Sequence, residues 1–317
     1  MSDYRKRVRL LLAMDAFLAA AILLGLLFSP WSSDARATSF DLIESPDAIT
    51  AIGIEGPETV QLARTGNSWI MNVPDGTLPA DSSRIDSFLK AVDSVAHLEP
   101  VARDKASWPV LGLEGPEVRR VTLKDARGTV KRNFLLGNYA KSPGAVYVAL
   151  ADGSEAYSVA SGMASYILGK RSSWLDLRAW TAPPAAESVQ QLVVSGVFES
   201  AGGSVLNLDY TASRSGSGWV SDGIALDGAR TEALVRALAA LRGDDYAPAA
   251  EQAGQPVITV ELKLGNGRSL NLSIEARRED GRYPAQSSQR DRRMYLPSWS
   301  LTEVLKPLDQ LKAATGS

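Results

Sequence analysis

The chain has 317 residues, 45% of them hydrophobic and 22% charged, with a formal net charge of -2. That length suits two ordinary domains, each able to bury its own core, and the near-neutral balance argues against nucleic acid as a partner, because phosphate binding needs a concentrated basic face. With no cysteine and one histidine, His97, a thiol nucleophile, a disulfide framework and an ordinary structural zinc site all lack their groups, as does acylation of an N-terminal cysteine.

Residues 1–9 form a basic tail with Arg5, Lys6, Arg7 and Arg9, and the chain then runs apolar from Leu10 to Phe28. At about 1.5 Å per residue this run covers a hydrocarbon core of roughly 30 Å, which predicts a transmembrane anchor over residues 10–29. The positive flank precedes the span. The N-terminus is therefore expected in the cytoplasm of a bacterial cell, and everything beyond Trp31 on the periplasmic side of the inner membrane. Ala35-Arg36-Ala37 has the form of a signal-peptide cleavage site. The apolar run is longer than such a peptide needs and ends well before that site, so an uncleaved anchor is the preferred reading. Asp15 lies inside the span, and Ala16 and Ala20 are spaced for close helix approach. These three are the candidate contacts to a partner helix in the membrane; the plainer alternative has Asp15 reaching the headgroups.

After a tether over residues 30–46, a first unit is predicted over residues 47–180. Ile49–Glu55, Val60–Arg64 and Ser68–Asn72 alternate like short strands. Asp81 is placed to cap a helix whose stripe is Ile85, Phe88, Leu89, Val92 and Val95. Val118–Lys124, Thr129–Leu136, Val146–Leu150 and Ala156–Val159 read as two hairpins, and a closing helix is expected from Ser161 to about Gly169. The stretch "SSWLDLRAWTAPPAAES" joins this unit to the next, with a linker at residues 181–188 marked by its Pro-Pro pair.

Residues 189–317 carry the same outline. "ITAIGIEG" at Ile49 matches "VQQLVVSG" at Val189, Trp69 falls on Trp219, Asp81 on Asp227 and Arg84 on Arg230. The helix stripe continues as Leu234, Val235, Leu238 and Leu241. Lys124 then falls on Lys263, and Tyr157 on Tyr295. The offset shrinks at turns, as loop deletions in a second copy would produce. The expected fold is α+β: an N-terminal transmembrane helix, then two tandem copies of a mostly antiparallel, strand-rich unit with helices packed on one face.

"SWIMNVPDGTLPADSSRIDSFLKAV", "LGLEGP" and "SSWLDLRAW" resemble bacterial domain-of-unknown-function family 4340. Its members are membrane-anchored and often encoded beside gliding-motility-type ABC-transporter auxiliary components. The resemblance implies an extracytoplasmic scaffold or auxiliary subunit of such a complex, with no catalytic residue to carry over. The second copy departs from the pattern: it lacks a clear Leu-Gly-Leu, and an Arg-rich insert stands where the last hairpin is expected.

Chemistry is sparse. His97 ends the first helix, where a cation suits the dipole. No Gly-x-Ser-x-Gly elbow occurs, and Gly265-Asn266-Gly267 is a hairpin turn without the rest of a phosphate loop. Asp244-Asp245 could hold a cation but reads as well as a charged loop. Trp69 and Trp219 are expected in the core, whereas Trp174, Trp180 and Trp299 would suit glycan stacking if exposed. Arg277, Arg278, Arg282, Arg290, Arg292 and Arg293 form a candidate interaction patch for anionic headgroups or an acidic partner, although neighbouring carboxylates dilute it. The reading is a non-enzymatic, cofactor-free membrane protein with protein partners and no nucleic acid. The alternatives are an envelope-glycan binder or, less readily, a hydrolase with an unrecognised site.

Overall fold

A computed structural model describes residues 42–43, 45–95, 99–199, 203–216 and 218–313. The basic tail, the anchor and most of the tether lie outside these residues, as do Asp15, Ala16, Ala20 and His97. Among the described residues no helix is long and apolar enough to cross a membrane.

The first half contains β1 (Ala51–Glu55), β2 (Val60–Thr65), β3 (Ser68–Val73), β4 (Gly76–Pro79), α1 (Ser82–Asp93), β5 (Glu99–Ala102), α2 (Trp108–Leu111), β6 (Arg119–Lys124), β7 (Val130–Tyr139), β8 (Ala145–Leu150), β9 (Ala156–Ala160) and α3 (Met163–Ile167). Its strands form one antiparallel sheet in the order β4-β3-β2-β1-β6-β7-β8-β9-β5. The second half contains β10 (Val189–Glu199), β11 (Val205–Asn207), β12 (Tyr210–Ser215), β13 (Gly218–Ser221), β14 (Ile224–Leu226), α4 (Gly228–Ala239), β15 (Asp245–Tyr246), β16 (Pro256–Leu264), β17 (Ser269–Glu275), β18 (Arg282–Ser287), β19 (Met294–Pro297), α5 (Ser298–Val304) and α6 (Leu308–Leu311). These strands run β14-β13-β12-β10-β16-β17-β18-β19-β15, with β11 added to the far end of β10. Once β11 is set aside, the two sheets have one strand order. The chain is thus strand-rich α+β with two antiparallel sheets.

Matched residues do matched work. Trp69 and Trp219 are both buried, and each stands opposite an arginine in register, Arg64 and Arg214. Asp81 Oδ1 accepts the Arg84 N–H at 3.2 Å, and Asp227 Oδ1 accepts the Arg230 N–H at 3.0 Å. Each carboxylate therefore satisfies an orphan donor at a helix start. The hairpin turns before Trp69 and Trp219 both use a glycine at φ +59°, Gly66 and Gly216, a conformation that only glycine adopts without strain.

Several expectations are extended or corrected. The two expected hairpins, β6–β7 and β8–β9, are both present, and the pairing of β7 with β8 joins them into one meander. Two short edge strands, β4 and β5, complete the sheet; each contains a proline, which an edge tolerates and which hides the strand signal. The last hairpin of the second half is present as β18 and β19, and the Arg-rich stretch supplies its flanking turns. Tyr157 does not fall on Tyr295. Tyr157 and Val159 face the main core, as do Met294 and Leu296, so Tyr157 matches Met294, and a one-residue slip turns Tyr295 to the opposite face. Finally, the helices do not all share a face. α2 lies behind the first sheet, where Trp108 and Leu113 cover Leu135, Ala149 and Ala156 in a second small core. It approaches β7 so closely that a Cβ on Gly137 would meet the Leu111 carbonyl at 2.3 Å.

The main core is one cluster that runs through both halves. Asp227→Ala is expected to cost about 1 kcal/mol through loss of the helix cap, read from the denaturation midpoint. Asp81→Ala should cost at least as much, since Asp81 also pairs with Arg242 of the second half at 3.5 Å. Unshifted midpoints for both variants would reject the capping role.

Candidate functional site

The connection between the halves is a strap, Trp174 to Ala179, hydrogen-bonded on both sides. Toward the first half, the Asp81 N–H donates to the Trp174 carbonyl at 2.8 Å and the Asp176 N–H to the Pro79 carbonyl at 2.9 Å. Toward the second, the Ala179 N–H donates to the Leu241 carbonyl and the Gly243 N–H to the Leu177 carbonyl, both at 2.8 Å. One short segment thus closes the β4 edge of one sheet and the approach to β15 of the other. Trp174 and Trp180 flank it at 0% exposure, and the Trp180 indole N–H donates to the Leu238 carbonyl at 2.8 Å. The exposure that glycan stacking would need is absent at both: these rings are interior packing. Trp299 remains exposed.

Asp176 fixes the strap electrostatically. Its carboxylate accepts Arg178 Nε at 2.7 Å and Arg290 Nη2 at 2.9 Å, while Arg290 Nε reaches back to the Arg178 carbonyl at 2.9 Å. The Tyr246 hydroxyl donates to the Asp176 carbonyl at 2.7 Å. Burial alone would raise the Asp176 carboxyl, but the hydrogen bonds from Arg178 and Arg290 outweigh it and hold its pKa at about 2. A second tie sits beside it. Asp75, in the turn between β3 and β4, accepts the Ala249 N–H at 2.7 Å and pairs with Arg292 at 2.9 Å. Both contacts, the Ala249 N–H first, hold its carboxyl below the usual range. Arg171 and Asp245 add a looser pair at 3.5 Å.

The six arginines of the candidate patch divide: Arg290 is buried, Arg282, Arg292 and Arg293 are half-buried, and Arg277 and Arg278 are exposed. Arg290 and Arg292 bind first-half carboxylates. Arg293 pairs with Glu275 at 2.8 Å and Arg278 with Glu251 at 2.9 Å. Arg282 pairs with Asp280 at 2.8 Å and lies 4.1 Å from the Tyr295 ring centroid. Arg277 is exposed and, among the described residues, stands in no salt bridge. Five of the six are thus engaged within the chain. Spacing alone could not reveal the pairs of Arg290 and Arg292, because Asp176 and Asp75 lie more than a hundred residues away.

Behind the second sheet Arg292 and Arg293 border a cavity of about 400 Å³ under the loop that links β15 to β16. Its floor is Ser273, Gln286 and Arg293, with Glu251 and Glu275 in its wall. In the first half the matching positions are Leu135, Ala149 and Ala156, sealed beneath Trp108. The two units therefore treat the same place oppositely, one dry and filled, the other polar and open. Ser273, Gln286, Glu251, Glu275 and Arg293 give the cavity a polar, charged lining. Asp244 and Asp245 diverge to Arg282 and Arg171, and among the described residues no group of three or more histidines or carboxylates could hold a metal ion.

Because the Asp176 carboxyl lies below its ordinary value of 3.8, its contribution to stability is complete above about pH 4 and drains away as the pH falls toward about 2. Asp176→Asn should flatten that part of the stability–pH curve in denaturant titrations. Arg290→Met, which leaves the carboxylate with Arg178 alone, should cost about 3 kcal/mol near neutrality; a loss too small to measure would show that the seam does not depend on this pair.

Comparison with known families places these features. The model described as Domain of unknown function (DUF4340) matches residues 69–259, from Trp69 in β3 across the strap to Thr259 in β16. No curated protein matches the chain, and no solved structure does. The match spans more than half of the chain and includes the strap with Asp75 and Asp176, though not their partners Arg290 and Arg292, so the protein belongs to the DUF4340 family.

Proposed function

We propose that this protein is a single-pass inner-membrane protein built of two copies of one α+β unit. Its extracytoplasmic body would act as a scaffold or auxiliary subunit of a membrane complex, of ABC-transporter or gliding type. The basic tail followed by the apolar run from Leu10 to Phe28 supports the anchor and its orientation. The shared strand order and the paired caps at Asp81 and Asp227 support duplication. The transporter association rests on the resemblance to membrane-anchored family members.

The observation that carries the scaffold reading is the stitched seam. A loose tandem pair would present its surfaces at variable separation. The strap, the Asp176–Arg290 pair and a shared core hold the two units in one fixed relation, which suits a body that spaces two contact surfaces. A glycan-binding reading keeps, among the described residues, a single exposed tryptophan, Trp299, at 70% exposure.

Cross-linking in membranes, mild-detergent purification of the full chain and mass spectrometry test this. Transporter subunits are expected to co-purify, and repeated recovery of this chain alone would sink the proposal. Asp15→Ala should lower that recovery, and undiminished recovery would reject Asp15 as an intramembrane contact. Retention on envelope polysaccharide that Trp299→Ala abolishes would instead favour the glycan reading.

A further inference from the structure

In the first unit the trough between α1 and α3 is filled with rings. Phe88 meets Trp174 edge-on, with centroids 5.2 Å apart, and Tyr166 lies 6.0 Å from Phe88. The Arg84 guanidinium sits over Tyr166 at 4.9 Å and over Trp174 at 5.4 Å. The second unit has the corresponding trough between α4 and the α5–α6 segment. Backbone hydrogen bonds fix the correspondence: the Asp227 N–H donates to the Leu311 carbonyl as the Asp81 N–H does to that of Trp174. Leu234 then stands for Phe88, Glu303 for Tyr166, Leu311 for Trp174 and Arg230 for Arg84. All three rings have gone. In their place a groove of about 530 Å³ opens over Leu234, Ala237 and Leu311, with Arg230, Lys306 and Glu303 at its lip.

Beside this groove stands the one exposed tryptophan among the described residues. Trp299 is the second residue of α5, and Glu303, four residues on, lies on the same side of the helix. One surface therefore offers a ring with an adjacent carboxylate, and next to it an emptied aromatic socket with two cations at its mouth. The two features are complementary. A ring entering the socket would bury its apolar area and set its π face against Arg230, as Tyr166 and Trp174 do against Arg84.

We propose that the chain pairs with a second copy about a twofold axis, Trp299 of each copy entering the groove of the other. Glu303 then faces the partner's Lys306. Twofold symmetry makes every contact reciprocal, which accounts for ring and socket lying side by side on one surface.

The test is the mass of the full chain in mild detergent, by light scattering with detergent correction, across a concentration series. The unchanged protein is expected as a dimer. Trp299→Ala removes the ring, and Ala233→Trp fills the groove while leaving Trp299 in place. Each should weaken dimerisation at least about thirtyfold, with the circular dichroism spectrum unchanged for the exposed Trp299 site. A single-chain mass for the unchanged protein overturns the proposal. So does a dimer that survives both substitutions, which would assign pairing to another contact such as the N-terminal apolar run. A monomer that binds N-acetyltryptophanamide in the groove also overturns it, since the socket would then await a ring from a different partner.

Discussion

The edge of a β-sheet is a row of unmet hydrogen-bonding groups, and in this protein two edges are met by the same few residues. The strap from Trp174 to Ala179 gives its backbone first to Pro79 and Asp81, then to Leu241 and Gly243. Everything distinctive about the body depends on that double pairing. It continues the hydrophobic core from one half into the other, brings Trp174 and Trp180 inside, and sets Asp176 where a carboxylate must have partners. Arg290 comes from a turn far along the chain to supply one, and Arg178 from the strap itself supplies another. The ion pair is thus a consequence of the seam as much as a support for it.

Much of the architecture could be read from the residues because the local signals are strong. A helix start with an aspartate cap and a stripe at helical spacing is legible at Asp81 and again at Asp227. A tryptophan in an alternating run is legible as core at Trp69 and Trp219. What escaped has physical reasons. β4, with the sequence Gly-Thr-Leu-Pro, has no alternation to detect. The slip of Tyr157 onto Tyr295 was a choice between registers one residue apart, which tyrosine identity favoured and the direction of the side chains decides. The arginines were legible as a cluster but not as pairs: Asp75 and Asp176, which receive two of them, lie more than a hundred residues away, and charge pairing across such separations leaves no local pattern. Trp174 and Trp180 look like exposed linker aromatics only if a segment between units is assumed to be solvated.

The comparison of the halves is informative where they disagree. Structural positions are kept: caps, strand tryptophans, glycine turns, strand order. Two places are not. Behind the sheet, Leu135, Ala149 and Ala156 become Ser273, Gln286 and Arg293; in the helical trough, Phe88, Tyr166 and Trp174 become Leu234, Glu303 and Leu311. In both, the first unit closes a space with apolar bulk and the second leaves it open with charge at its margin. Emptying an aromatic core position ordinarily costs several kcal/mol; in the second unit the smaller Leu311 stays buried at the strap-equivalent position.

The strap also bears on how the molecule may be divided. By sequence, the second unit begins beyond the Pro-Pro pair at 183–184. By structure, it already includes Trp180, whose indole is bonded to α4, and the backbone of Leu177 and Ala179. The first unit in effect donates a bridging segment and a ring to its neighbour, with Arg178 paired in a β-bridge to Arg242 and Trp180 bonded to Leu238. A break in the exposed stretch just after Trp180 would leave the donated segment in place, with the pieces still joined. A chain begun at that same point would lack it, and would expose the route into β15 and the pocket that Trp180 fills.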